Sequence, residues 1–315
     1  MIIECLFDEE GAGNPFFKKI YNNIFNYLKI LFPQYTFIHV QPDYRNQDIS
    51  PSSVGSYSNF QLINPKNKKT ILMSFWDRGM DPLTINDGGW EKLEIVQYLG
   101  GLGMYMNSEE INKNFNIEHL PFQYPLGVRD SDSYIKEYRT FYVPENKKRK
   151  AIFIGRLYGH RKNIAEILKK HPLFEIYDSE SEFHGLKYFE KLSDYRIGLS
   201  FNGNGEFCLR DLEIMGLNLP LFRPELKTKF NNDFIPNTHY VKIYEPSISA
   251  HENFDITDEE MANRYIEKVE TYIDDYEFLK NISNNGYNYY LNFTNVDYIV
   301  NLYFKLINLK KLENE

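Results

Sequence analysis

Residues 195–225, YRIGLSFNGNGEFCLRDLEIMGLNLPLFRPE, read as strand, glycine-broken loop, helix and second strand. Ile197, Leu199 and Phe201 fall in an apolar run of strand length. Asn202-Gly203-Asn204-Gly205 then interrupts it with residues that tolerate unusual backbone angles. From Phe207 the spacing turns helical, with Phe207, Leu209, Leu212, Met215 and Leu217 on one stripe. Gly216 and Asn218 are stop signals before a further strand at 219–222. A strand–loop–helix–strand unit of this kind belongs to α/β folds, whose ligands gather at the carboxyl ends of the strands.

Within the expected helix, Arg210 and Glu213 are three residues apart and share a face near its N-terminal end. Free N–H groups and the helix dipole make such an end suited to a phosphate. Arg210 adds a permanently charged, forked donor, and Glu213 offers two acceptors suited to a pair of ribose hydroxyls. The same spacing also suits an ordinary exposed ion pair on an amphipathic helix.

The segment GEFCLRDLEIMGLNLPLF resembles the sugar-nucleotide-binding segment of GT-B glycosyltransferases. In that family the helix glutamate holds the donor ribose, and Glu213 occupies the matching position. The Arg-x-x-Glu spacing of Arg210 and Glu213 is similar to that of bacteriophage DNA glucosyltransferases, where the pair holds uridine diphosphate. Retaining members carry an earlier Glu eight positions before the second. Here that position is Gly205, with Glu206 one residue late, so inversion is favoured. The resemblance implies two Rossmann-like domains facing each other across a cleft, with a C-terminal helix crossing back to the first. It also makes Gly203, Gly205 and Glu206 the donor loop.

The second half has another loop of interest. A strand at 150–154 leads into GRLYGHRKN, with a helix expected over 164–170. Gly155, Arg156 and Arg161 gather backbone donors and fixed charges, which a diphosphate leaving group needs as charge builds on it. FIGRLYGHRKN looks like the first loop of a C-terminal GT-B domain, and it is similar to the phage glucosyltransferases, where a comparable glycine followed by two arginines grips the phosphates. A solvated basic turn is the alternative. The loop after a strand at 174–177 is a candidate for the nucleotide base, and Arg223-Pro224-Glu225 for the donor sugar.

The first half opens in the same rhythm. An apolar strand at 1–7 enters DEEGAGNP and a helix over 16–31, with Gly11 and Gly13 as acceptor-side loop residues. A plain tight turn is the competing reading. Further strands are expected at 35–40 and 69–75, with a polar loop at 43–60 and a helical pattern ending near Tyr98. FWDRGMDP places Asp77 just past a strand, in an order similar to the base-bearing segment of the phage glucosyltransferases. Asp77 is therefore the candidate catalytic base that takes the acceptor hydroxyl proton, ahead of Asp81, Glu9 and Glu10. A short Asp–Arg turn pair is the alternative.

Residues 128–150 are polar and end in Lys147-Lys148-Arg149-Lys150, read here as a solvated hinge. The expected domains are 1–146 on the acceptor side, 147–285 for the nucleotide sugar, and 286–315 as a returning helix whose aromatic stripe suits such packing. At 315 residues, two domains can each bury a core. The net charge of −8 argues against broad attraction to nucleic acid. Two distant cysteines, the lack of a basic leader and the lack of an 18-residue apolar run point to a cytoplasmic protein without a transmembrane segment.

The seven histidines show no metal-ligand spacing and there is no Asp-x-Asp motif, so no metal is assigned, although a divalent cation on the diphosphate stays open. The expected function is transfer of a sugar from a UDP- or GDP-sugar to a glycan or other hydroxyl, with no cofactor required. A glycan acceptor is favoured over DNA. The alternatives are a phage-type DNA-base glycosyltransferase and a noncatalytic nucleotide-sugar-binding module, and oligomeric state is left open.

Overall fold

The computed structural model describes residues 1–7, 15–41, 59–74, 94–100, 118–120, 131–178, 183, 186–203, 207–226, 234–244 and 256–313. The chain forms two compact units, Met1–Leu126 with Asn295–Glu315, and Gly127–Thr294.

The first unit holds β1 (Ile2–Leu6), α1 (Pro15–Leu31), β2 (Thr36–Val40), β3 (Asn59–Ile63), β4 (Lys69–Ser74), β5 (Glu94–Gly100) and β6 (Glu118–Leu120). Its sheet runs β2-β1-β3-β4-β5-β6. All neighbours are parallel except around β3, which is antiparallel to both β1 and β4. The β3–β4 hairpin turns through Lys68, which adopts a left-handed φ of 63°. Phe7 stacks on Tyr21 of α1 at 4.4 Å, within a core of Ile3, Cys5, Ile24, Leu28, Phe60, Leu62 and Ile71.

The chain's last segment completes this core. Helix α8 (Val296–Leu306), the link after it and the 3-10 turn Leu309–Leu312 contribute Val300, Ile307, and Leu309 with Leu312, respectively. Gln97, buried in β5, fixes the join by donating to the Leu306 carbonyl (2.9 Å) and accepting from Asn308 N–H (3.0 Å). A buried amide with both ends occupied costs little and sets the register of what it touches.

The second unit holds α2 (Ser131–Tyr138), β7 (Lys148–Ile154), α3 (His160–Leu168), β8 (Phe174–Tyr177), α4 (Leu186–Ser193), β9 (Tyr195–Leu199), α5 (Leu209–Gly216), β10 (Leu221–Arg223), β11 (Val241–Lys242), α6 (Asp258–Tyr272) and α7 (Tyr276–Thr294). Its sheet runs β11-β10-β9-β7-β8, with every neighbouring pair parallel. Strands covered on both faces favour apolar runs, which residues 151–154 supply in β7 and Ile197 and Leu199 in β9, where the buried Arg196 is satisfied by the Pro144 and Ile273 carbonyls. α3 packs with α6, while α5 packs with α7 and α2. Gly198 brings α5 onto β9, since an added Cβ would stand 2.6 Å from Ile214.

Several local expectations change. Residues 94–100, expected as the end of a helical pattern, form β5. The apolar pairs Ile95-Val96 and Tyr98-Leu99 suit either period, and the parallel neighbours β4 and β6 decide it. β3 begins inside the expected polar loop, and α2 occupies part of the expected hinge. The basic run at 147–150 is largely strand: Lys148 pairs with Asp194, Arg149 with Asp274, and Lys150 with Glu175. The aromatic stripe divides: Tyr289 and Tyr290 are buried on α7 in the second unit, while Tyr298 and Leu302 pack in the first. Among the described residues no helix is long and apolar enough to cross a membrane.

A candidate anion site at the switch point of the second sheet

In chain order the second sheet's strands stand 5-4-3-1-2, so the winding direction reverses between β7 and β9. Connections leave toward opposite edges there, opening a crevice at the strand ends where α/β proteins bind ligands. The loops after β7 and β9, and the N-termini of α3 and α5, meet at this point.

Gly155 and Arg210 are brought together. The Arg210 Nε donates to the Ile154 carbonyl at 2.7 Å, and its guanidinium lies 4.3 Å above the Phe153 ring. A Cβ at Gly155 would fall 1.8 Å from Nη2 and 2.5 Å from Cζ of Arg210. The glycine is therefore the seat of the guanidinium, which lies flat against the end of β7. This anchoring holds the charge in place before any ligand arrives.

One turn along α5, Glu213 is half-buried and its Oε2 accepts from the Tyr188 hydroxyl of α4 at 2.7 Å. Burial pushes the Glu213 carboxyl up from its ordinary value, against the opposing pull of the Tyr188 hydrogen bond and the Arg210 charge. The Tyr188 hydroxyl is itself pushed well up, first by burial and then by the neighbouring carboxylate. The Tyr188 hydroxyl therefore stays a neutral phenol that donates to the Glu213 carboxyl.

Arg161 is positioned differently from a freely presented phosphate ligand. It is buried; its Nε donates to the Asn202 carbonyl (2.6 Å) and its Nη2 to the Phe201 carbonyl (2.8 Å). It thereby ties α3 to the loop after β9. Gly203 makes room for this tie, because a Cβ there would approach Nη2 to 2.8 Å. Arg156 is exposed on the loop after β7. Gly159, with φ 48°, caps α3 in a backbone conformation that favours glycine.

Beneath these residues lies a polar network that sequence reading missed. Asp211 and Arg223 are almost wholly buried and pair at 2.6 Å. Asp211 Oδ2 also accepts from the Cys208 N–H at 2.7 Å, closing a capping box at the start of α5. Arg223, read from the sequence as a candidate for the donor sugar, is buried here and braces the α5 cap through Asp211. Its partner lies twelve residues earlier on another element, so no local pattern could announce the pair. Cys208 has its thiol pushed up by burial, which leaves it a protonated packing group rather than a thiolate.

On β8, burial would raise the Glu175 carboxyl, but hydrogen bonds from Tyr195, Tyr177 and Lys150 outweigh it and bring it to about 2. At the α3 N-terminus, His160 and Asn163 both bind the Asp258 carboxylate of α6, the latter at 2.6 Å.

Asp77, Gly11, Gly13, Gly205 and Glu206 lie outside the described residues. Among the described residues no cluster of three or more His, Cys, Asp or Glu side chains is placed to hold a metal ion.

The two sheets define a mixed α/β protein whose second unit is Rossmann-like. No protein-family model matches the chain, and no curated protein does. Solved structures similar to it include two glycosyltransferases. One is the pneumococcal O-GlcNAc transferase GtfA in complex with UDP and GlcNAc: identity is 14%, the match covers 70% of this chain, and the TM-score is 0.43. This chain spans only 46% of that protein. Another is a glycosyltransferase from Rickettsia africae ESF-5, 10% identical across 100% of this chain and 99% of the other, with a TM-score of 0.46.

Proposed function

We propose that the protein is a GT-B-type glycosyltransferase whose second unit holds a nucleotide-diphosphate sugar, a UDP- or GDP-sugar. The observation that carries this reading is the seating of Arg210 on Gly155 at the switch point, one helical turn from the half-buried Glu213. A cation fixed at a strand end suits the diphosphate, and a carboxylate beside it suits the ribose diol.

In this reading Arg210, seated on Gly155, with Arg156 and the loop backbone at Gly203, stabilises charge on the departing diphosphate. Glu213 accepts from the ribose. Arg161 acts mainly by fixing the loop after β9, with Nη1 the guanidinium nitrogen not engaged in that tie. Asp77 is the base that removes the proton from the acceptor hydroxyl, giving inversion at the transferred carbon. A glycan hydroxyl is the favoured acceptor, and net charge −8 weighs against a nucleic acid.

The test combines binding and turnover. Isothermal titration with UDP-glucose, UDP-GlcNAc and GDP-mannose should show one donor binding to wild type, and Arg210→Ala should lose most of that affinity. Asp77→Ala should keep the affinity and lose both transfer and slow donor hydrolysis. Binding by wild type with no transfer or hydrolysis would instead indicate a noncatalytic binding module. Absence of binding by any nucleotide sugar would refute the reading.

A further inference from the structure

The ribose carboxylate assigned above is not alone. Tyr188 reaches it from a different helix, α4, and donates to Oε2 at 2.7 Å. Its ring is held edge-on against Phe189 at 4.9 Å, so the hydroxyl is delivered from a braced position. Among the described residues Glu213 Oε1 has no hydrogen-bond partner. One oxygen of the carboxylate is thus fixed by the protein and the other is left for a ligand. The charged and titratable groups acting on Glu213 are Tyr188 from α4, and Arg210 and Asp211 from its own helix.

We propose that Tyr188 is a positioning residue of the ribose subsite, aligning the Glu213 carboxylate so that Oε1 accepts from a ribose hydroxyl and discriminates ribonucleotides from their deoxy counterparts. This inference rests on the nucleotide-sugar reading and specifies how its ribose subsite works. A glutamate whose carboxylate is untethered samples several rotamers, and that freedom must be lost on binding. The Tyr188 bond removes that freedom beforehand. It also opposes the burial that would otherwise favour the protonated acid, keeping Glu213 an acceptor to lower pH. Arg210 lies near enough to act electrostatically on both groups, which joins the diphosphate and ribose subsites into one preorganised unit.

The test uses Tyr188→Phe, which keeps the ring and removes only the donor. The probes are UDP and GDP, each with its 2′-deoxy and 3′-deoxy forms, titrated calorimetrically into the full chain. Wild type should prefer the ribonucleotide over at least one deoxy form by about tenfold, the scale of one hydrogen bond to a charged group. Tyr188→Phe should reduce that preference to about twofold while binding the same deoxy form as wild type does. Its affinity for the ribonucleotide should also fall away at higher pH than in wild type, because Glu213 then protonates more readily. Equal loss for ribo and deoxy forms, with an unshifted pH profile, would overturn the proposal while leaving the nucleotide site intact. Failure of wild type to bind either UDP or GDP would overturn both it and the reading beneath it.

Discussion

Replacing Gly155 by alanine should act through Arg210. The added Cβ would stand 1.8 Å from Nη2, whereas real Cβ contacts essentially never fall below 3.0 Å, so the guanidinium must move by about an ångström. That displacement breaks the Nε bond to Ile154 and the stacking on Phe153. A hydrogen bond from a charged group is worth about 1.5–3 kcal/mol, and a partly exposed cation–π contact about 0.5–1 kcal/mol. Alanine restricts the unfolded chain and returns about 0.4–1 kcal/mol. The net cost is therefore about 1–3 kcal/mol. In an Arg210→Ala background the obstruction is gone, so the same substitution should change sign and stabilise by about 0.4–1 kcal/mol. Both tryptophans, Trp76 and Trp90, lie in the first unit, so the cycle is better read by far-UV circular dichroism and native-state hydrogen exchange of the second. Additive single and double variants would refute the seat described for Arg210.

Other substitutions test the surroundings of the site. Arg223→Met strands the buried Asp211 carboxylate and should cost about 3–5 kcal/mol in urea unfolding; combining it with Asp211→Leu should recover much of that loss. Glu175 lies below its ordinary value of 4.5, at about 2, so its stabilisation is present above about pH 4.5 and lost as pH falls through about 2. Glu175→Gln should accordingly lower the melting temperature near pH 5 and converge with wild type near pH 2, checked by circular dichroism. Thr257 caps α6 by accepting from Glu260 N–H at 3.1 Å, so Thr257→Ala should cost about 1 kcal/mol and speed amide exchange in the first turn of α6.

What was legible in the sequence was local and periodic. β7 announces itself by the apolar run 151–154, β8 by the alternation of Phe174 and Ile176 with Glu175 and Tyr177, β9 by Ile197 and Leu199, and α6 because Thr257 and its acidic first turn mark a helix start. Arg210 and Glu213 were legible as a pair because helical spacing puts them on one face. The seat of Arg210 on Gly155 was not, since the two residues meet only when β7 and α5 are assembled. The same holds for Asp211 with Arg223, and for Tyr188 with Glu213: each pair joins separate elements through a contact that no periodicity encodes. Arg161 shows the converse. Its position in a basic loop suggests a phosphate ligand, and the structure shows two loop carbonyls taking its Nε and Nη2. Charge in a sequence does not reveal which backbone oxygens will be near it.

Hydrogen exchange of the full chain, with and without the nucleoside diphosphate that binds more tightly of UDP and GDP, tests the central claim most directly. The account predicts slowed exchange confined in the second unit to about residues 154–163 and 200–213, abolished by Arg210→Ala. Protection elsewhere in that unit with these segments unchanged would contradict it, as would protection that survives Arg210→Ala.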